Sequence, residues 1–168
     1  MSLYVELFLP LIISNIAHMF VVKRDHFSAL NRPISSKLFG QNKTVRGFVF
    51  VGLTTALLQL FTNRALYGGF SLDSLVLGLS LGVMYMLSEL PNSFMKRRLG
   101  IKSGEKPERG AWLFTILDKS DSTLGVCATF TVYKGLPVLM FLKLFISAFC
   151  IHLVLSHILH LLRIKSSL

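Results

Sequence analysis

The chain has 168 residues, of which 52% are hydrophobic and only 15% charged, and its mean hydropathy is +0.62. A soluble domain of this length carries more charge and shorter apolar runs, so the composition points instead to an integral membrane protein. The formal net charge of +10 does not indicate a nucleic-acid partner, because the lysines and arginines cluster in two loops and near the C-terminus, where they report topology and attract anionic head groups.

Apolar stretches at about 3–22, 47–62, 72–95, 111–133 and 138–162 approach the roughly 20 residues that cross a bilayer. They predict one all-α domain over 1–168, a bundle of five transmembrane helices with loops at about 23–46 and 96–110. The first stretch has no preceding basic region and no small-residue cleavage site, so no cleavable signal peptide is expected. It contains Pro10, and Asn15 and His18 sit three apart on one face.

The loop after it carries Lys23, Arg24, Arg32, Lys37, Lys43 and Arg46 against Asp25 alone, and ends in LFGQNKTVRG. After the second stretch, Gly68-Gly69 marks a turn. The third stretch holds Gly78 and Gly82, four apart, a spacing that lets another helix approach closely, within this chain or between chains; the oligomeric state stays open at this stage. At its end Glu89, Asn92, Ser93 and Lys96 form a polar stripe on one helical face, with Pro91 among them. In the fourth stretch Asp118 and Asp121, three apart, point the same way, and Lys119 and Ser120 add polarity. The fifth places His152, Ser156, His160 and Arg163 along one side. Cys127 and Cys150 lie in apolar runs without a ligand spacing, which speaks against a zinc site or a disulfide.

Basic residues crowd the loops after the first and third stretches and recur at Arg163 and Lys165, whereas the opposite side has only Arg64 and Lys134. The positive-inside rule then puts the N-terminus outside and the C-terminus in the cytoplasm. Of eight acidic residues in the chain, Glu89, Asp118 and Asp121 fall at apolar edges on that same cytoplasmic face. Carboxylates in such places are expensive and read as functional. Three carboxylates with oxygen ligands only suit Mg²⁺. The neighbouring cations Lys43, Arg46, Lys96, Arg97, Arg98 and Lys102 suit a polyphosphate. Together they point to Mg²⁺-dependent phosphoryl or nucleotidyl transfer to a lipid.

At this point the sequence resembles the CDP-archaeol synthase family, within the wider group of CTP-dependent CDP-diacylglycerol synthases. LPLIISNIAHMF is similar to the family's first helix with its Asn, here Asn15. The pattern GxNKTxRG appears as Gly40, Asn42, Lys43, Thr44, Arg46 and Gly47. ELPNSFMKRRLGIKSG resembles the family's GDLxxSFxKRRLGIKxG, and LDKSDSTLG its DxxDxxxG element through Asp118, Asp121 and Gly125. Two positions depart: Ser88-Glu89 stands for the usual Gly-Asp, and Ser156 stands where the archaeal pattern tends to have Asn. The ELPNS form resembles a bacterial branch.

The resemblance implies transfer of CMP from CTP to a membrane lipid phosphate, phosphatidate-like or an archaeal ether lipid, at the cytoplasmic face of the cell membrane. It implies Asp118 and Asp121 as Mg²⁺ ligands, with Glu89 as the third carboxylate. It sets Asn42, Lys43, Thr44, Arg46, Ser93, Lys96 and Arg97 on the nucleotide-phosphate side, with Lys43, Arg46, Asp118 and Asp121 as the catalytic group. The competing expectation is a small transporter that uses Glu89, His152 and His160 as relay groups, although no internal repeat supports it. A CDP-alcohol phosphotransferase ranks last, since its DGxxAR hallmark is absent.

Overall fold

The computed structural model describes residues 2–103, 105 and 111–161, the side chains of 111, 115, 159 and 160 excepted. The last part of the expected loop at 96–110, from 106 on, the His160 side chain, Arg163 and Lys165 lie outside the described residues. Five helices make the fold: α1 (Ser2–Lys23), α2 (Val45–Tyr67), α3 (Leu72–Arg98), α4 (Ala111–Tyr133) and α5 (Val138–Leu161). Among the described residues, extended pairing is limited to one bridge between Pro33 and Thr44.

Four helices, α1, α2, α3 and α5, are long and apolar enough to cross a membrane. α4 is not among them: its 23 residues are length enough, but Asp118, Lys119 and Asp121 interrupt the apolar run. The chain is thus an all-helical, multi-pass membrane protein.

Local chemistry sets the helix ends. Thr44, in extended geometry, starts α2, and its side chain accepts from the Gly47 N–H. α2 then runs past the apolar stretch that ends at Thr62 and stops at Gly68, whose φ of 81° is left-handed. Ser71 caps α3 by accepting from the Asp73 N–H. α3 ends on Lys96, Arg97 and Arg98, cations that offset the exposed carbonyls of its last turn.

α2 packs on α1 and α3, α3 on α4, and α4 on α5. Lipid is as apolar as a leucine core, so close backbone approach and interhelical hydrogen bonds must select these contacts. Gly78 and Gly82 provide the first. A Cβ on Gly78 would stand 2.5 Å from Gln59 Cβ and 2.7 Å from Ala56 Cα, and one on Gly82 would stand 2.7 Å from the Val51 carbonyl oxygen. The small pair therefore serves the α2–α3 contact within the chain. Gly125 does the same between α4 and α3, where a Cβ would lie 2.7 Å from Ser88 Cβ. Ser14 with Thr54 (2.7 Å) and Asn15 with Tyr85 (3.0 Å) add polar ties. Leu53, Leu57, Phe61, Val76, Ile146 and Val154 remain exposed, the outward apolar surface of a membrane bundle.

At the end of the bundle remote from α3's basic terminus, Glu6 is wholly buried. It accepts from Lys134 Nζ at 2.5 Å and from the Tyr67 hydroxyl at 3.1 Å, tying α1 to α2 and to the α4–α5 turn.

Candidate active site

The other end is built from the C-terminal half of α3, the first half of α4 and the two basic loops. The first loop is zipped to the start of α2: Ile34 N–H donates to the Lys43 carbonyl and Val45 N–H to the Arg32 carbonyl, both at 2.9 Å. Asp25 and Phe27 take positive φ values of 49° and 56° and fold the chain back. Arg46, almost fully buried, donates through Nη1 to Asp25 Oδ1 (2.8 Å) and to the His26 carbonyl (3.0 Å). Thr44 and Arg46 therefore shape the loop, while Asn42 stands exposed at its turn. The loop ends by presenting Lys43 to Glu89 on α3, an ion pair about four-fifths buried on both sides.

The polar stripe of α3 faces α4. Asn92 Nδ2 donates to Asp118 Oδ1 at 2.5 Å and to Asp121 Oδ2 at 3.3 Å, bringing both aspartates to one amide. Lys96 Nζ lies 2.5 Å from each Asp118 oxygen and 5.8 Å from the centre of the Phe114 ring. Ser93 Oγ instead donates back to the Glu89 carbonyl at 2.9 Å, within its own helix. Asp118 and Asp121 sit about two and three turns inside α4, which has no acid in its first turn. Stabilisation of a helix N-terminus does not account for them. Burial works against the Lys43 ammonium, but Glu89, with Asp121 and Asp118 behind it, outweighs burial and holds its pKa above the ordinary lysine value. All three carboxylates thus act on one cation.

Between the two loops lies a polar cleft of about 470 Å³, lined by Lys37, Gln41, Arg97, Lys102 and Ser103, among others. Gly40, with φ 84°, closes its wall: a side chain there would meet Ser103 Oγ at 3.0 Å and Arg97 Nη1 at 3.4 Å. Arg97 Nε is buried without a protein partner.

The donors near α4 are hard carboxylate oxygens with no sulfur or imidazole among them, the set that fits Mg²⁺. Buried Asn92 Oδ1, without a protein partner beside the two aspartates, adds a further hard oxygen. Among the described residues no three His, Cys, Asp or Glu side chains gather closely enough to hold one ion. Asp118 and Asp121 form the pair, and Glu89 stands beside it on Lys43. Asn92, Lys37 and Gln41 were not singled out as site residues from the sequence. The stripe on α3 could have identified Asn92, but the cleft residues needed the folded loops. The relay arrangement finds no support, since Glu89 is paired with Lys43 and His152 lines a mainly apolar cavity.

Comparison with known proteins identifies the family. The family described as CarS-like CDP-archaeol synthase matches residues 4–168. A CDP-archaeol synthase from Pyrobaculum islandicum (strain DSM 4184 / JCM 9189 / GEO3) is 32% identical over 130 residues, which are 77% of this chain and 72% of that protein. No solved structure matches. The chain belongs to the CDP-archaeol synthase family and is a CTP-dependent cytidylyltransferase of phospholipid biosynthesis, of the kind that transfers the cytidylyl group to a lipid phosphate.

Proposed function

We propose that the protein transfers CMP from CTP to a two-chain lipid phosphomonoester, phosphatidate-like or ether-linked, at the cytoplasmic face of the cell membrane, with Mg²⁺ as cofactor. The observation that carries this reading is the convergence of Asp118 and Asp121 on the Asn92 amide, next to two lysines and a basic cleft. Asp118 and Asp121 would hold the ion, while Glu89, the third carboxylate expected from the sequence, stays on Lys43 beside them. Held there, the ion's chemistry is neutralisation of phosphate charge and alignment of an in-line displacement.

The chain's own groups do the rest. Lys43, Lys96 and Arg97 meet the triphosphate. The loop residues Asn42, Thr44 and Arg46 present Lys43, and Ser93 lies on the nucleotide side of α3. A lipid phosphate oxygen attacks the α-phosphorus of CTP, the bond to the β-phosphate breaks, and CDP-lipid and pyrophosphate result. The attacking oxygen is already anionic near neutral pH, so no side chain has to remove a proton. Placing both basic loops in the cytoplasm puts the N-terminus outside.

Purified protein with labelled CTP, Mg²⁺ and diacyl, dialkyl or polyprenyl-ether lipid phosphates is expected to form a CDP-lipid, and EDTA to abolish it. Asp121→Asn should lower the rate by roughly two orders of magnitude or more, the scale of one lost electrostatic stabiliser, while the protein stays inserted. Turnover at the wild-type rate by Asp121→Asn would remove the metal assignment.

A further inference from the structure

The first basic loop begins with a turn that does not stay clear of the bundle. Asp25 and Phe27 reverse the chain with positive φ, a conformation that strains a residue as bulky as Phe. The reversal lays Phe27 back along the helices. Its ring centre is 6.2 Å from that of Phe50 on α2, which in turn lies 6.1 Å from that of His18 on α1. Phe50 follows Val45, the first residue of α2, by five positions, and His18 precedes Lys23, the last of α1, by five. At about 1.5 Å rise per residue, this row of rings lies about 7 Å inside both helix ends. Yet Phe27 is 60% exposed, and Leu30, in the short 3₁₀ turn that follows, 36%. Val49 and Leu53, exposed on α2 to either side of Phe50, continue the apolar surface into the span. Arg24 and Arg32 flank the turn and are exposed, while Asp25, the one acid of the loop, is held by Arg46.

We propose that the turn from Arg24 to Arg32 is a membrane wedge: Phe27 and Leu30 sit among the acyl chains just below the head groups, and Arg24 and Arg32 bind the phosphates of anionic lipids. The leaflet is the one on the active-site side, cytoplasmic in the orientation above. Depth selects lipid as the occupant. A surface that starts about 7 Å inside the ends of two membrane helices matches the roughly 5–10 Å to which interfacial apolar faces sink, and it is continuous with the lipid face of α2. Charge selects the head group, because the two arginines have no acid between them that Arg46 does not already hold. The loop that presents Lys43 is thus anchored at both ends, by Glu89 in the bundle and by Phe27 in the leaflet.

Trp112 is the one tryptophan of the chain, so Phe27→Trp combined with Trp112→Phe places a single indole at the wedge. In nanodiscs its emission should be blue-shifted, quenched by lipids brominated near the head-group end of the acyl chain, and little affected by iodide. At equal mole fraction, brominated phosphatidylglycerol should quench more than brominated phosphatidylcholine. The local enrichment should be about fivefold, the scale of one basic side chain at an anionic surface. Adding Arg24→Gln and Arg32→Gln should bring the two lipids level, and raised salt should narrow the gap. Emission of a water-exposed indole, open to iodide and untouched by brominated lipid, would overturn the wedge. Equal quenching by the two lipids before the arginines are changed would overturn the anionic recognition.

A second measurement uses the wild-type chain in liposomes and does not depend on the stability of any variant. Phosphatidylglycerol with a diazirine near its head group should label 24–34, and the matching phosphatidylcholine should label it less. Labelling confined to the helices, or equal labelling of 24–34 by the two probes, would refute the site. Neither measurement needs turnover. Failure of the wild-type protein to form any CDP-lipid would therefore refute the transferase reading and leave the wedge to be decided by quenching and labelling.

Discussion

Asn92 offers the sharpest test of how the aspartates are held. Its amide donates to Asp118 at 2.5 Å and to Asp121 at 3.3 Å, and the residue is only 7% exposed. Two carboxylates three residues apart repel each other, and the shared donor offsets that repulsion. A hydrogen bond to a charged group contributes about 1.5–3 kcal/mol. The longer contact adds little, so Asn92→Ala should cost about one such bond. At about 1.4 kcal/mol per tenfold, that is roughly a 10- to 100-fold rise in the Mg²⁺ needed for half-maximal activity, the range seen when residues orienting a metal ligand are removed. The assay is cytidylyl transfer titrated with Mg²⁺ at saturating CTP and lipid phosphate, with Mn²⁺ binding followed by electron paramagnetic resonance. The change should appear in both readouts, and the thermal midpoint in detergent reports whether the bundle is intact. A folded Asn92→Ala protein whose metal requirement stays within twofold of wild type would refute the role.

Three further outcomes follow from packing and topology. Gly125→Ala drives a methyl group into Ser88, an overpacking that costs about 1–3 kcal/mol, and adding Ser88→Gly should restore the thermal midpoint; failure of the second change to rescue would remove this contact as the cause. At the opposite end, the Glu6 side chain is 1% exposed and that of Lys134 27%, so Lys134→Ala strands a buried carboxylate, whereas Glu6→Gln leaves an ammonium that can turn to water. Lys134→Ala should therefore destabilise more, by up to about 3–5 kcal/mol, and the reverse order in thermal melts would refute the argument. For orientation, Lys37→Cys in the first basic loop should react with an impermeant maleimide only from the cytoplasmic side, and Phe70→Cys only from outside; the opposite pattern would invert the topology.

What could be read from the chain beforehand was whatever depends on local period and length. Apolar runs give helices because a bilayer leaves the backbone no other partner. A three-residue interval alone sets Asp118 and Asp121 on one face, and the same rule draws the stripe from Glu89 to Lys96. The choice of partner was not legible, because it depends on long-range assembly. The NKTVRG motif reads as a set of phosphate contacts. Folding instead uses Thr44 to cap α2 and sends Arg46 to Asp25, across a turn whose positive φ values fall on ordinary residues, Asp25 and Phe27, rather than glycines. Glu6 and Lys134 meet across 128 positions, and neither carries a local signal for the other. The Gly78/Gly82 spacing announced a close helix contact, but only the fold shows that α2 takes it.

α4 joins these two kinds of information. Alone in hydrocarbon, Asp118, Lys119 and Asp121 would each disfavour insertion by about 2.5–3.5 kcal/mol, which is why α4 is the helix that does not qualify as a membrane span on composition. Within the bundle each charge finds a partner on a neighbouring helix. Asp118 goes to Lys96 and Asn92, Asp121 to Asn92, and Lys119 to Ser156. α4 is therefore stable only between α3 and α5, and Asn92 and Lys96, which make its aspartates tolerable there, belong to the proposed site. The helix least suited to lipid is the one that carries the proposed metal ligands.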